Sequence, residues 1–105
     1  MYNCKIYNKT YKVNLYGTHY AHDNEPAFYI KGRNIEELIT VCIPHSGVHL
    51  TEDTAFIDVN NCPWAIQFLI ENELAKPLHI NVGSGFVSYP LYKFDLTKVR
   101  VEKNA

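Results

Sequence analysis

Cys62 is the residue of this sequence best placed for covalent chemistry. It stands in Asn60-Asn61-Cys62-Pro63, directly before an apolar run with helical spacing. A thiol at a helix N-terminus faces the positive end of the helix dipole, which lowers its pKa and favours the thiolate. A nucleophilic thiol also needs a base, most often His, oriented by a third group. His79 is the next His along the chain, and no spacing places it beside Cys62. The competing reading is a small buried residue in a first helical turn. Cys62 is therefore a weak catalytic candidate, and no other residue is a stronger one.

Two histidine pairs, His19 with His22 and His45 with His49, have spacings that could hold a metal on a helix. Both lie in polar stretches that read as loops, with no cysteine alongside, so no metal site or cofactor is expected. Their ordinary consequence is a charge change at about pH 6. Gly83-Ser84-Gly85 could converge its amides on a phosphate. It lacks the Lys of a phosphate-binding loop and the Gly-x-Gly-x-x-Gly spacing, so a tight turn competes. Lys5, Tyr7, Lys12 and Tyr16 interleave on what should be the outer face of an N-terminal hairpin. Aromatics beside lysines can stack bases and neutralise phosphate. Ordinary cross-strand packing of Tyr on Lys stems gives the same pattern. The candidate ligand-binding residues are thus Lys5, Tyr7, Lys12, Tyr16, Gly83, Ser84 and Gly85. Glu36-Glu37 and Glu52-Asp53 offer paired carboxylates, but neighbours on a strand point to opposite faces.

The elements that position these residues are mostly strands. Tyr2, Cys4 and Ile6, then Tyr11, Val13 and Leu15, alternate with polar residues, which predicts a hairpin turning at Asn8-Lys9. Asn8 tolerates the positive φ that a tight turn needs. Residues 17–26 read as a loop, 27–30 as a short strand and 32–34 as a turn. Residues 38–43 read as one buried, β-branched strand. Residues 44–51 form a loop and 55–59 another strand. Asn60, Asn61 and Pro63 are helix-start residues, and residues 64–74 have helical spacing. Trp64 and Phe68 lie one turn apart, as do Ile66 and Ile70. Only Gln67 and Glu71 make a polar stripe, so the helix must be wrapped by sheet or covered by a partner. Trp64, Phe68 and Glu71 are the candidate partner contacts. The Trp64/Phe68 or Ile66/Ile70 ridge could also close a homodimer. After Pro77 come a short segment at 78–82, the turn at 83–85 and an aromatic strand at 86–96. Pro90 marks an edge or bulge in that strand. Val99 and Val101 continue a last strand, and 102–105 should fray.

The sum is one α+β domain over residues 1–105: a mostly antiparallel β-sheet of about five to seven short strands packed around one central α-helix. Its 105 residues suffice for one modest core. Aromatic residues at 13% argue against disorder. No apolar run approaches the roughly 20 residues of a membrane helix. Three widely spaced cysteines do not make a disulfide framework and suggest reduced thiols in the cytoplasm. Residues 34–75 carry seven acids and no base, while both flanks are net basic. Such segregation can give a fold one basic and one acidic face. A pI of about 6.5 argues against general nucleic-acid affinity.

The second half also resembles a known family. The stretch Ala55-Phe56-Ile57-Asp58-Val59-Asn60-Asn61-Cys62-Pro63-Trp64 carries the resemblance, with Phe68-Leu69, Leu74-Ala75-Lys76-Pro77, Ser84-Gly85-Phe86 and Tyr89-Pro90-Leu91-Tyr92. It is similar to an uncharacterised family of small proteins from bacteria, their phages and mobile elements. The family pattern has Gly where this chain has Glu73, which would be a left-handed helix cap. With Glu there, the helix is expected to run on towards Ala75. The resemblance implies no established activity and no catalytic residues. It implies a setting in which small accessory proteins bind a host defence component or sequester a signalling nucleotide. The readings are then a stoichiometric, non-enzymatic inhibitor of a host defence protein, a nucleotide-binding module, or a small enzyme using Cys62.

Overall fold

The computed structural model describes residues 1–21 and 23–101. His22 lies outside them, so the His19/His22 pairing falls outside the described residues, as does the expected fraying at 102–105. The fold is α+β and mostly antiparallel, as the periodicity predicts. Its strands make two sheets that share a core, and the helix closes one side of that core.

The first sheet begins with the expected hairpin, β1 (Tyr2–Ile6) and β2 (Lys9–His19). Cys4 faces Tyr11 and Ile6 faces Lys9, leaving Tyr7 and Asn8 in the turn. The left-handed residue there is Tyr7 (φ 57), not Asn8. Register decides this: burying Cys4 and Ile6 on the core face fixes which residue starts the turn. β3 (Pro26–Gly32) pairs with β2 along its whole length, from Val13↔Gly32 to His19↔Pro26. Residues 17–19 are therefore strand rather than loop. Gly17 makes this packing possible, since a Cβ there would stand 3.1 Å from Val99 and 3.4 Å from Phe28. β4 (Ile35–Leu38) completes this side.

Residues 38–43 do not form one buried strand. Leu38 ends β4 and is 46% exposed, and the chain then crosses to the second sheet at Ile39. Ile39 N–H donates to the Phe28 carbonyl at 3.0 Å, while its own carbonyl accepts from Asp58 N–H at 2.9 Å. One fully buried residue thus joins both sheets, and its backbone groups are satisfied on either side.

The second sheet holds β5 (Thr40–Val41), β6 (Thr54–Ile57), β7 (Ala75–Ser84) and β8 (Val87–Phe94), in the order β5-β6-β8-β7. β7 absorbs the predicted 78–82 segment together with Gly83 and Ser84, so the turn is confined to Gly85 (φ 64) and Phe86. A bulge in β7 between Pro77 and Asn81 breaks the register opposite Pro90, so the irregularity falls on the partner strand and β8 itself is not an edge. One face of this sheet gives Ala55, Ile57, Tyr92 and Phe94 to the main core. The other gives Phe56 and Leu91 to a second cluster, covered by Ile43, Val48 and Leu50 of the 42–53 loop.

The helix α1 (Ala65–Glu71) is shorter than the spacing predicts. Its Ala65, Phe68 and Leu69 face the core, and Asn72 Nδ2 ties its end to the Asn3 carbonyl of β1 at 3.1 Å. It stops because the backbone closes a Schellman motif: Glu73 N–H donates to Ile70 O and Leu74 N–H to Leu69 O. Glu73 takes φ 54, the left-handed conformation of a C-terminal glycine. The helix therefore does not run on towards Ala75. Burial of Leu74 and Ala75, which opens β7, outweighs the strain at Glu73. A 3-10 turn at Leu96–Lys98 then leads to β9 (Arg100–Val101), which lies parallel to β2.

Candidate functional site

The outer face of the first sheet is set by strand alternation. Cys4, Val13, Leu15, Phe28 and Ile30 point into the core. Their neighbours point out: Lys5 on β1, Lys12, Asn14, Tyr16 and Thr18 on β2, Tyr29 and Lys31 on β3, Glu36 and Leu38 on β4. Register then lays Arg100, Tyr16, Tyr29 and Leu38 in one row across four strands. Tyr16 and Tyr29 stack with centroids 5.2 Å apart and planes 11° apart. A shallow cleft of about 260 Å³ opens beside Tyr29 and Leu38. Lys31 pairs with Glu36 at 3.7 Å. Lys5, Lys12 and Arg100 have no ion-pair partner among the described residues. The face is thus basic on a chain whose net charge is -1.

Three of the seven ligand candidates, Lys5, Lys12 and Tyr16, share this face. Tyr7 does not: it is the 72% exposed turn residue at the end of the hairpin. Gly83, Ser84 and Gly85 belong to the second sheet. Gly83 and Ser84 are paired with Ser88 and Val87, so the three residues do not form a separate loop. Sequence reasoning missed Tyr29, Lys31 and Arg100. Alternation around Phe28 and Ile30 marks Tyr29 and Lys31 as outward. Their meeting with Tyr16 required the β2–β3 register.

The partner-contact candidates separate. Phe68 is 2% exposed and belongs to the core, because the helix turns this side inward. Trp64 is half-buried against the core, and Ile66 packs there too. Glu71 is exposed and accepts from Gln67 Nε2 at 2.7 Å. Of the two apolar ridges, Phe68 is buried, Trp64 and Ile66 are partly buried and Ile70 is exposed.

Cys62 is not an activated thiol. It is buried two residues ahead of the N-cap, Trp64, and its Sγ donates to the Leu38 carbonyl at 3.4 Å. Burial, then the charges of Asp58 and Glu37, push its pKa up to about 11. The Asn-Asn-Cys-Pro-Trp segment is shaped by Asp58. Its carboxylate accepts from Asn61 N–H at 3.2 Å and from Asn61 Nδ2 at 2.9 Å. Asp58 therefore caps the turn over residues 59–61, and Asn61 caps no helix. Cys4 is raised to about 12 by burial and by Cys62, and Cys42 to about 12 by burial and then its bond to Asp23. All three thiols are free. Cys42, Asp23 and Glu25 bring one ligand atom each within 4.8 Å of one another at the surface. The Cys42 thiol donates to Asp23 Oδ2 at 2.8 Å there. His45 is another left-handed residue (φ 60) and, like His49, sits in the exposed 42–53 loop.

A groove of about 630 Å³ runs between the end of α1 and the β7–β8 pair. Its lining carries charges of both signs, Asp53, Glu73 and Asp95 with Lys76 and Lys93, and Lys93 lies 3.7 Å from Asp53. The basic sheet face is the stronger candidate because its charge is not so matched. No helix among the described residues is long and apolar enough to cross a membrane.

Fold and face together define a small two-sheet α+β protein with one open, basic, aromatic sheet surface. The chain belongs to the family described as Domain of unknown function (DUF4313), whose model matches residues 7–104. No curated protein matches the chain, and no solved structure does.

Proposed function

We propose that the protein acts by stoichiometric binding, through the outer face of its first sheet, to an acidic surface on a cytoplasmic host protein. The Arg100–Tyr16–Tyr29–Leu38 row carries this reading. Tyr and Arg are the residues that most often anchor protein interfaces. Lys5 and Lys12 beside them would steer an acidic partner into register. In the setting that the sequence resemblance implies, the partner is a host defence component and the protein its inhibitor.

Affinity capture from host lysate tests the reading. The wild-type chain should retain a saturable acidic partner, and Tyr16→Ala with Lys12→Glu should lose it while melting normally. Retention unchanged by the double variant would remove this face from the function. The Tyr stack with its lysines also favours a second reading, a nucleotide-binding module. Thermal shift against cyclic and linear dinucleotides separates the two. The Cys62 enzyme draws no support from a buried thiol bonded to a backbone carbonyl.

A further inference from the structure

A different part of the molecule has the chemistry of a cation site. Three aromatic side chains converge where the hairpin turn, β2 and the start of α1 meet: Tyr7, Tyr11 and Trp64. With Glu36 and Glu37 of β4 and the Asn61 amide they line a cleft of about 450 Å³. Aromatic faces carry negative quadrupole potential, and carboxylates beside them add net charge of the same sign. An anion would be repelled by every charged group in this lining. A neutral apolar ligand would have to desolvate the Glu37 carboxylate. A cation satisfies both features.

Of the three rings, Tyr11 already carries a cation of the chain itself, which leaves Tyr7 and Trp64 to meet a ligand. Lys9 Nζ lies 5.1 Å from the centroid of Tyr11. Glu36 turns its carboxylate to the outer sheet face, where it pairs with Lys31 at 3.7 Å, so Glu37 supplies the charge of this cleft. Glu37 has no ion-pair partner among the described residues, and its charge acts on the Cys62 thiol below. Tyr7 contributes from a left-handed turn position, φ 57, that favours glycine. Strain of this kind tends to collect at binding sites.

We propose that this cleft binds an organic cation, an alkylammonium or guanidinium group, held over Tyr7 and Trp64 and paired with Glu37. The group could be a free quaternary ammonium compound or a Lys or Arg side chain of a protein. This site lies apart from the Tyr16–Tyr29 face and does not depend on it.

Trp64 is the sole tryptophan, so its fluorescence reports the site directly. The full chain is titrated with choline, tetramethylammonium, N-acetyl-lysine amide and N-acetyl-arginine amide. 3,3-Dimethylbutanol serves as the uncharged isostere of choline. At least one cation should give a saturable change that the isostere does not. Binding of choline or tetramethylammonium alone identifies a free ligand; binding of an amino-acid amide identifies a side chain. Glu37→Gln should weaken the binding about tenfold, a change of about 1.4 kcal/mol. Tyr7→Gly, which relieves the turn, should keep the melting temperature or raise it and still weaken binding. The proposal fails if no cation gives a saturable change, if the isostere binds equally, or if both variants bind like wild type.

Discussion

Phe28 of the first sheet and Phe94 of the second stack with ring centroids 3.8 Å apart and planes 6° apart. The contact spans the core at the level of the Ile39 crossing, where the Phe28 carbonyl also receives the Ile39 N–H. Phe28 N–H in turn donates to Thr40 Oγ1 at 3.1 Å, one residue into the second sheet. Ring and backbone therefore hold the same two layers together.

Phe94→Ala removes half of this stack from a site that is 2% exposed. Large-to-small changes of this kind cost about 3–5 kcal/mol. Against a typical total of about 5–15 kcal/mol, the variant should lose a large part of its stability. A urea midpoint within error of wild type would show that the sheets are joined elsewhere.

Glu73→Gly should stabilise the protein. Glu73 closes the Schellman motif at φ 54, where a side chain costs about 1–2 kcal/mol that glycine does not incur. Glycine returns part of that gain through its freer unfolded chain. A net rise of about 4 °C in melting temperature is expected. The carbonyl that accepts from Lys98 Nζ at 3.0 Å is untouched by the change. A lower melting temperature would mean that the Glu73 side chain makes a contact worth more than the strain.

Two glycines predict opposite outcomes. A Cβ at Gly32 would run into the backbone carbonyl of Lys12, with Val13 and Ile35 also within 3.3 Å. Gly32→Ala should cost at least the roughly 1–3 kcal/mol of an overpacked site, because backbone cannot swing aside. A Cβ at Gly83 meets nothing within 4 Å, so Gly83→Ala should be neutral or slightly stabilising. Equal melting temperatures for the two variants would contradict the β2–β3 register.

The thiols set an alkaline limit. Cys4, Cys42 and Cys62 are raised from 9.0 to about 12, 12 and 11 in the folded chain. The unfolded chain therefore loses these protons first as pH rises and binds fewer of them. Their stabilising contribution is complete below pH 9.0 and falls progressively towards pH 11 and 12. Urea midpoints measured from pH 8 upward should decline across that window, and less steeply in Cys62→Ala. At neutral pH the Cys62 thiol should alkylate more slowly than free cysteine. Alkylation faster than free cysteine would overturn its burial.

Much of the strand content was legible because alternation is a local property. Cys4, Val13 and Leu15 could be assigned to the core from period two alone, and Pro90 announced an irregularity, though the bulge falls on its partner strand. The end of α1 was not legible. Glu73 is a poor residue for a left-handed cap, and only the burial of Leu74 and Ala75 makes it one. Phe68 read as a partner contact because a helical wheel shows which residues are apolar but not which way the helix faces. Cys62 read as a dipole-activated thiol because the Asx residues before it imitate a helix cap. In the fold Asn61 binds Asp58, and the helix starts later.

The sequence by itself determined the α+β class, the N-terminal hairpin and the segregation of charge along the chain. Each depends on residues close together in the chain. Tertiary structure decided the crossing at Ile39, the meeting of Tyr16 with Tyr29 and Arg100, and the gathering of Tyr7, Tyr11, Trp64 and Glu37 around one cleft. These depend on strand register and on which face of each element is buried. Both are settled by burying apolar area across the whole chain, and no local window of residues contains that balance.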